Sequence, residues 1–136
     1  MLFRSPYLPT RVEVDASGFA TGGILSQKYP DGLWHPIAYR SGSMNKEERN
    51  YEIYDREMLG LIRALEDWRH FLEGISFEVV TDHKNMEWWT TMRDLNRRQA
   101  RWSLYLSRFV FKVIYKKGES MQADALSRFS KDHVSD

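Results

Sequence analysis

The sequence predicts an α/β fold built on a five-stranded mixed sheet, with three antiparallel strands followed by two parallel strands and helices flanking the sheet. Three strand patterns are followed by helix, strand, helix, strand and helix, an order typical of such sheets. The turn sequence at residues 30–32 (Pro-Asp-Gly) joins the second and third strands as a hairpin. Residues 75–81 are mostly apolar, as expected of an interior parallel strand.

Four of the five strands follow from alternation and turn residues. Val12 and Val14 alternate with polar residues in 11–16, and the turn at 17–18 leads into a second strand over 20–28. The third strand covers 33–39, where Pro36 favours a position at the sheet edge. Alternating apolar residues predict the fifth strand over 109–115.

The longest helix is predicted from a capping pattern and a glycine stop. Asn45 with Glu48 forms a capping-box sequence, and Asn50 offers a second possible start. The helix is expected to run to about residue 72 and to end before Gly74. Further helices are predicted over 84–92, 95–107 and 121–129, with Trp102, Leu104, Leu106 and Phe109 in the core.

Size and composition indicate one domain. The 136 residues carry a net charge of only +1, so any nucleic-acid binding must come from a local patch. Cys is absent, which excludes disulfides and thiolate metal sites and fits a reducing compartment. We expect an extended lead-in over 1–10, the folded domain over 11–129 and a frayed tail over 130–136.

Four carboxylates lie at strand ends, inside a helix or at a helix start, and not in surface loops. Asp15 and Asp82 each end an apolar strand, Glu57 lies inside the long helix, and Asp124 begins the last helix. If the first and fourth strands are parallel neighbours, Asp15 and Asp82 emerge from the same edge of the sheet. Converging carboxylates need a cation, and a divalent cation held by carboxylates commonly handles phosphate.

Each carboxylate also has an ordinary explanation when it is considered alone. Glu57 could reach water or an Arg, Asp15 and Asp82 could form turns or helix caps, and Asp124 could favour a helix N-terminus. Taken together these explanations are weaker, because two carboxylates ~4 Å apart repel by about 4 kcal/mol at an effective dielectric of ~20. A set of Asp and Glu without Cys suits Mg²⁺ or Mn²⁺ and argues against Zn²⁺.

Basic residues give a less specific signal. An Arg-rich helix can track a phosphate backbone, although such a helix is more often a solvated face. The two lysines at 116–117 lie between the fifth strand and Asp124, where they could approach a scissile phosphate. The candidate basic contacts are Lys84, Arg97, Arg98, Arg101, Lys116 and Lys117.

An ordered series of short motifs covers most of the chain and resembles the ribonuclease H domain of gypsy-type long-terminal-repeat retrotransposon polyproteins. Each motif is weak alone, and the ordered series is specific. The motifs occupy residues 14–17, 23–27, 35–39, 50–51, 57–59, 68–74, 81–84, 98–102, 115–118 and 123–128.

The resemblance implies a ribonuclease H fold that hydrolyses the RNA strand of RNA–DNA hybrids during reverse transcription. It implies two Mg²⁺ ions, replaceable by Mn²⁺, on the four carboxylates, and a reverse transcriptase domain preceding residue 11 in the same polyprotein. Recognition of the hybrid would use duplex shape and 2′-hydroxyls, with Ser17, Gly18 and Asn45 as candidate contacts. The setting would be the cytoplasm, within virus-like particles, or the nucleus.

One departure from the family pattern concerns proton transfer. Cellular ribonucleases H carry a His before the last Asp, whereas residues 115–122 contain none, so Tyr115 is the expected stand-in.

The four carboxylates also argue against two rival functions. A non-enzymatic domain that supports a reverse transcriptase or tethers nucleic acid has no use for four clustered carboxylates. An integrase or resolvase would need a different carboxylate spacing.

Overall fold

The described structure confirms the predicted five-stranded mixed sheet. The computed structural model describes residues 7–84 and 94–116. The strands lie side by side in the order β3-β2-β1-β4-β5. Their bounds are Thr10–Ala16 (β1), Ala20–Lys28 (β2), Trp34–Ser43 (β3), Ser76–Thr81 (β4) and Val110–Tyr115 (β5).

The pairing directions also match the prediction. β1 pairs antiparallel with β2, and β2 pairs antiparallel with β3. β1 and β4 are parallel neighbours with Val12 opposite Val79, and β5 continues the parallel half beside β4. Pro36 lies on edge strand β3, where the register with β2 shifts between Leu25 and Ser26. A missing N–H is tolerated at such a position.

The third strand is longer than predicted. It continues four residues past Tyr39 to Ser43, because β2 offers pairing partners as far as its first residue, with Ala20 opposite Ser43. This extension brings the residues that follow β3 beside the β1–β2 turn. The backbone N–H of Met44 donates to the carbonyl of Phe19 at 2.7 Å.

The prediction of one helix, starting at Asn45 or at Asn50 and running to about residue 72, is wrong because the segment forms three helices. These are Lys46–Arg49 (α1), Ile53–Asp67 (α2) and Arg69–Leu72 (α3). Asn45 and Glu48 form the predicted capping box, but α1 ends at Asn50, and Glu52 adopts an extended conformation (φ −56°, ψ 153°) before α2. Trp68 leaves helical geometry between α2 and α3.

The core lies between the sheet and α2, which packs on β1 and β2. The fourth helix of the described residues, α4 (Arg97–Leu106), packs against α2. Leu106 and Phe109 are buried as predicted and Trp102 packs at the core boundary, but Leu104 is 73% exposed, so its assignment to the core was wrong. Its position on α4 directs it away from α2. The fully buried apolar side chains include Val12, Leu25, Met58, Leu61, Leu65, Leu72, Val79 and Val80.

Several predictions fall outside the described residues. They are the helix over 84–92 beyond its first residue, the helix over 121–129, Lys117 and Asp124. Within the described ranges, the model contains no helix with the length and apolar character needed to cross a membrane.

Candidate metal centre

Three of the four predicted carboxylates meet at the edge of the sheet that is formed by the carboxyl ends of β1 and β4. β1 and β4 run parallel and adjacent, so Asp15 and Asp82 leave the sheet at the same edge. Helix α2 crosses this edge and supplies Glu57. One ligand oxygen from each of the three carboxylates lies within 4.8 Å of the others. The fourth predicted carboxylate, Asp124, lies outside the described residues.

Close approach of α2 to the sheet brings Glu57 to the other two carboxylates. A Cβ on Gly60, one helical turn after Glu57, would lie 3.5 Å from the backbone oxygen of Asp15 and 3.6 Å from Cβ of Thr21. These are ordinary van der Waals separations, so the helix backbone lies against the end of β1 with room for a methyl group at position 60. Leu61 and Ala64, which follow Glu57 and Gly60 by one helical turn, are buried in the core.

Glu57 is the most buried of the three carboxylates. Its exposed fraction is 3%, whereas the side chains of Asp15 and Asp82 reach solvent. Its Oε2 is buried and has no hydrogen-bond partner among the described residues. A buried carboxylate oxygen without a partner carries a full desolvation cost, unless a proton or a cation satisfies it.

The electrostatics show the same need for positive charge. Burial, and secondarily the negative charges of Asp15 and Asp82, raises the pKa of Glu57 from 4.5 to about 8. The pKa of Asp15 is also raised, first by partial desolvation and then by Asp82, while the N–H of Ala16 and the nearby His83 oppose the shift. In the absence of a cation, the cluster therefore holds protons that isolated carboxylates would release.

The donor set fits a hard divalent cation. Carboxylate oxygens are preferred ligands of Mg²⁺ and Mn²⁺, and the described cluster contributes neither imidazole nor thiolate. Asp15 is pre-oriented, because its Oδ1 accepts a hydrogen bond of 2.9 Å from the N–H of Ala16, which leaves Oδ2 available. A cation could thus be held at the carboxyl ends of β1 and β4 by Asp15, Glu57 and Asp82.

Two further predicted residues lie beside this edge. Tyr115 ends β5 opposite Thr81, the residue before Asp82. The N–H of Lys116 donates to the carbonyl of Thr81 at 2.8 Å, which fixes the backbone of Lys116 next to the site. Lys84 is exposed two residues after Asp82. Their roles in proton transfer or phosphate contact stay predictions.

The predicted hybrid contacts Ser17, Gly18 and Asn45 are close to one another. Ser17 and Gly18 form the exposed turn that follows Asp15. The carbonyl of Phe19 in this turn is bonded to Met44, the residue before Asn45. Asn45 caps α1 by accepting a hydrogen bond from the N–H of Glu48 at 2.8 Å. Contact with nucleic acid stays a prediction for all three.

The arginines of α4 divide into two kinds. Arg97 and Arg101 are exposed and form no ion pair with a described residue, whereas Arg98 donates to Oδ2 of Asp55 at 2.7 Å and lies 3.8 Å from the ring centroid of Tyr51. Its charge is therefore engaged inside the protein. Contact between Arg98 and nucleic acid stays a prediction, and the structure adds a structural role.

The sequence analysis missed Asp55, a buried acid on α2. Its exposed fraction is 2%, and its Oδ1 accepts a second hydrogen bond, of 2.9 Å, from Nε2 of Gln99. Both partners lie more than forty positions away along the chain. The only signal in the sequence was an acid in the first turn of a helix, which is common without a partner.

Comparison with known proteins identifies the family. The family described as "RNase H-like domain found in reverse transcriptase" matches residues 5–109, most of the chain. The chain belongs to this family. As an RNase H-like domain it is 43% identical over 122 residues to the Transposon Tf2-3 polyprotein of Schizosaccharomyces pombe, a match that covers 86% of this chain and 9% of the polyprotein.

Solved structures share the RNase H fold. The foamy viral protease-reverse transcriptase dRH in complex with double-stranded DNA has a TM-score of 0.68 and 22% identity, over 84% of this RNase H-like domain and 20% of that chain. LC11-RNase H1, from compost, in complex with an RNA/DNA hybrid, has a TM-score of 0.56 and 16% identity, over 88% and 92%. At these identities the likeness establishes the fold alone.

Proposed function

We propose that this RNase H-like domain is an endonuclease that hydrolyses the RNA strand of RNA–DNA hybrids during reverse transcription of a gypsy-type retrotransposon. The convergence of Asp15, Glu57 and Asp82 within 4.8 Å carries the proposal. In a domain that served only as a scaffold or tether, repulsion among these carboxylates would lower the stability of the fold and bring no functional gain. The family match and the Tf2 relative support the retrotransposon setting.

The proposed cofactor is a pair of Mg²⁺ ions, for which Mn²⁺ substitutes. Asp15, Glu57 and Asp82 would hold them, with Asp124 as the fourth ligand predicted from the sequence. When bound, two such ions activate a water and offset the charge on the leaving oxygen of a phosphodiester.

The chain's own residues contribute position and charge. Glu57 is 3% exposed on the buried face of α2, so burial restricts the directions that its carboxylate can take. Asp15 is held by the N–H of Ala16, and Asp82 follows directly from the buried strand β4. Lys116, whose N–H donates to the carbonyl of Thr81, is the candidate for contact with the substrate phosphate, and Tyr115 beside it is the candidate for proton transfer.

The proposed partners are an RNA–DNA hybrid and the reverse transcriptase domain of the same polyprotein, in the cytoplasm and its virus-like particles or in the nucleus. LC11-RNase H1 was solved with an RNA/DNA hybrid, which supports the substrate class. The chain spans only 9% of the length of its Tf2 relative, so a polymerase partner elsewhere in the polyprotein is a further part of the proposal.

A strand-specific cleavage assay tests the function. The chain would be incubated with a hybrid labelled separately on each strand, and with double-stranded RNA and DNA, in Mg²⁺, Mn²⁺ or chelator. We expect metal-dependent cutting of the RNA strand of the hybrid alone, and none by Asp82→Asn. Cleavage by Asp82→Asn at the wild-type rate would refute the site, and cleavage of double-stranded DNA would point to another class of nuclease. If the chain is inactive even when the polymerase domain is supplied, the domain is a scaffold.

A further inference from the structure

An exposed aromatic ring lies in the turn that follows the first carboxylate. Phe19 is 71% exposed, and it occupies the turn between β1 and β2, four residues after Asp15. Its ring makes no aromatic or cation–π contact with a described residue. A large exposed apolar ring can bury its surface when a partner covers it, and this ring stands in the turn that follows the first carboxylate of the candidate site.

The backbone that carries this ring is held at both ends. The N–H of Phe19 and the N–H of Ala20 both donate to Oγ of Ser17, at 3.1 and 3.0 Å. The carbonyl of Phe19 accepts a hydrogen bond of 2.7 Å from Met44. The ring is therefore presented to solvent by a fixed turn, and not by a loose loop.

The neighbouring segment is fastened to α2 by a bidentate ion pair. Nη2 of Arg63 donates to both carboxylate oxygens of Glu48, at 2.9 and 2.8 Å, and Nη1 donates to the carbonyl of Ser43 at 3.1 Å. Glu48 in turn accepts from the N–H of Asn45. Hydrogen bonds thus connect the backbone at Phe19 and at Asn45, through Met44, Ser43 and Glu48, to α2, the helix that carries Glu57.

A duplex bound at the carboxylates has to pass close to this turn. Consecutive Cα atoms are about 3.8 Å apart, so Cα of Phe19 is at most about 15 Å from that of Asp15. Successive phosphates of one strand are about 3.4 Å apart along a duplex axis, so about 15 Å corresponds to only about four or five nucleotides. A duplex with a phosphate at the carboxylates therefore has nucleotides within reach of the ring.

We propose that Phe19 is a substrate-contact residue that packs its ring against a sugar of the bound RNA–DNA hybrid. This inference rests on the proposed function and assigns it one more residue. The faces of sugar rings offer C–H surface in a groove, and an aromatic ring buries that surface without reading a base. Ser17 and Asn45 beside the ring offer polar atoms to the hydroxyls and phosphates of the same strand.

Steady-state kinetics of Phe19→Ala test the assignment. We expect KM for the hybrid to rise about tenfold, the loss of roughly one buried ring face, with kcat unchanged. Phe19→Tyr should restore the wild-type KM, because it keeps the ring. Leu33→Ala is the matched control, because Leu33 is 62% exposed in the β2–β3 turn at the opposite end of the sheet, and its KM should not change.

Binding by fluorescence anisotropy separates this inference from the proposed function. Hybrid Kd would be measured in Mg²⁺ in an Asp82→Asn background, where we expect the hybrid to stay intact, with and without Phe19→Ala. Weaker binding by the double variant, with an unchanged melting temperature, supports the contact. If the wild type cleaves the hybrid and Phe19→Ala changes neither KM nor Kd, the contact is refuted and the nuclease stands. If Asp82→Asn alone binds no hybrid and the wild type cleaves none, both proposals fail.

Discussion

Arg98 of α4 holds Asp55 of α2 by an ion pair of 2.7 Å in which the carboxylate is almost fully buried. Gln99 donates to the other oxygen of the same carboxylate, and the guanidinium stacks on Tyr51. Asp55 lies two residues before Glu57 in the same helix. The contact therefore fixes the start of the helix that supplies Glu57, the most buried of the three proposed metal ligands.

We expect Asp55→Ala to destabilise the domain by about 2–4 kcal/mol, because it leaves Arg98 and Gln99 without their acceptor in a largely buried place. Urea unfolding measures the change. Arg98→Ala should lose at least as much, since it leaves the Asp55 carboxylate, 2% exposed, without its cation, whereas the Arg98 side chain is 29% exposed. Arg97→Ala, at the exposed neighbouring position, serves as the control and should stay within about 0.5 kcal/mol of wild type. Additive effects of Asp55→Ala and Arg98→Ala would show that the pair contributes nothing jointly.

The raised pKa of Glu57 predicts that the metal-free domain loses stability as the pH rises. The folded state keeps a proton on Glu57 up to about pH 8, whereas the unfolded chain releases it near 4.5. Between these values the folded state binds more protons, so the free energy of unfolding falls with increasing pH, by up to about 1.4 kcal/mol per unit. The raised pKa of Asp15 acts in the same direction.

Urea unfolding in chelator from pH 5 to pH 8 measures this slope. Glu57→Gln should flatten it and should be more stable than wild type at pH 8, because the amide needs no proton. Glu47→Gln, an exposed position on α1, should leave the slope as it is. Parallel curves for wild type and Glu57→Gln would show that Glu57 ionises normally in the fold.

Millimolar Mg²⁺ should raise the melting temperature of the wild type more than that of Asp82→Asn, by mass action on the folded state. In chelator the variant should be at least as stable as the wild type, because one carboxylate of a crowded acidic cluster is gone. Differential scanning fluorimetry with and without Mg²⁺ gives both comparisons. Equal shifts in the two proteins would place the cation elsewhere.

Two glycines should respond to alanine in opposite directions. Gly60→Ala should stabilise the domain by about 0.5–1 kcal/mol, because Ala is the better helix former and its Cβ would meet its nearest neighbour at 3.5 Å, an ordinary contact. Gly74→Ala should destabilise it by about 1 kcal/mol or more, since Gly74 has φ +92°. Thermal unfolding measures both. Destabilisation by Gly60→Ala would mean that α2 and β1 are closer than the structure has them.

The sequence predicted the sheet and the meeting of Asp15 with Asp82 because both depend on local patterns and one topological rule. Apolar runs and turn residues located the strands, and the parallel placement of the first and fourth strands put both strand ends at one edge. Helical spacing then placed Glu57 on the buried face of α2.

Features that depend on distant partners were not predictable in the same way. The stretch before the break at 50–52 carries no apolar residue, so periodicity could not show whether the helix starts at Asn45 or after Asn50, or that both segments are helical. The burial of Asp55 depends on Arg98 and Gln99 of a distant helix. Leu104 lies between the partly buried Trp102 and the buried Leu106 in the sequence, but only the docking of α4 on α2 decides which residues of α4 face the core.

The pairing of β1 with β4 has a consequence for how the chain folds. β1, β2 and β3 can form as consecutive hairpins from local contacts, whereas Arg11 meets Glu78 only after the whole intervening chain has been enclosed. Closing so large a loop is entropically costly and tends to be slow. Asp15 and Asp82 are brought together at that step, so their repulsion opposes the docking of β4 and leaves the hairpins unaffected. A chain that ended before β4 could form the β1–β3 meander, but it would lack the cluster of carboxylates proposed to bind the cation.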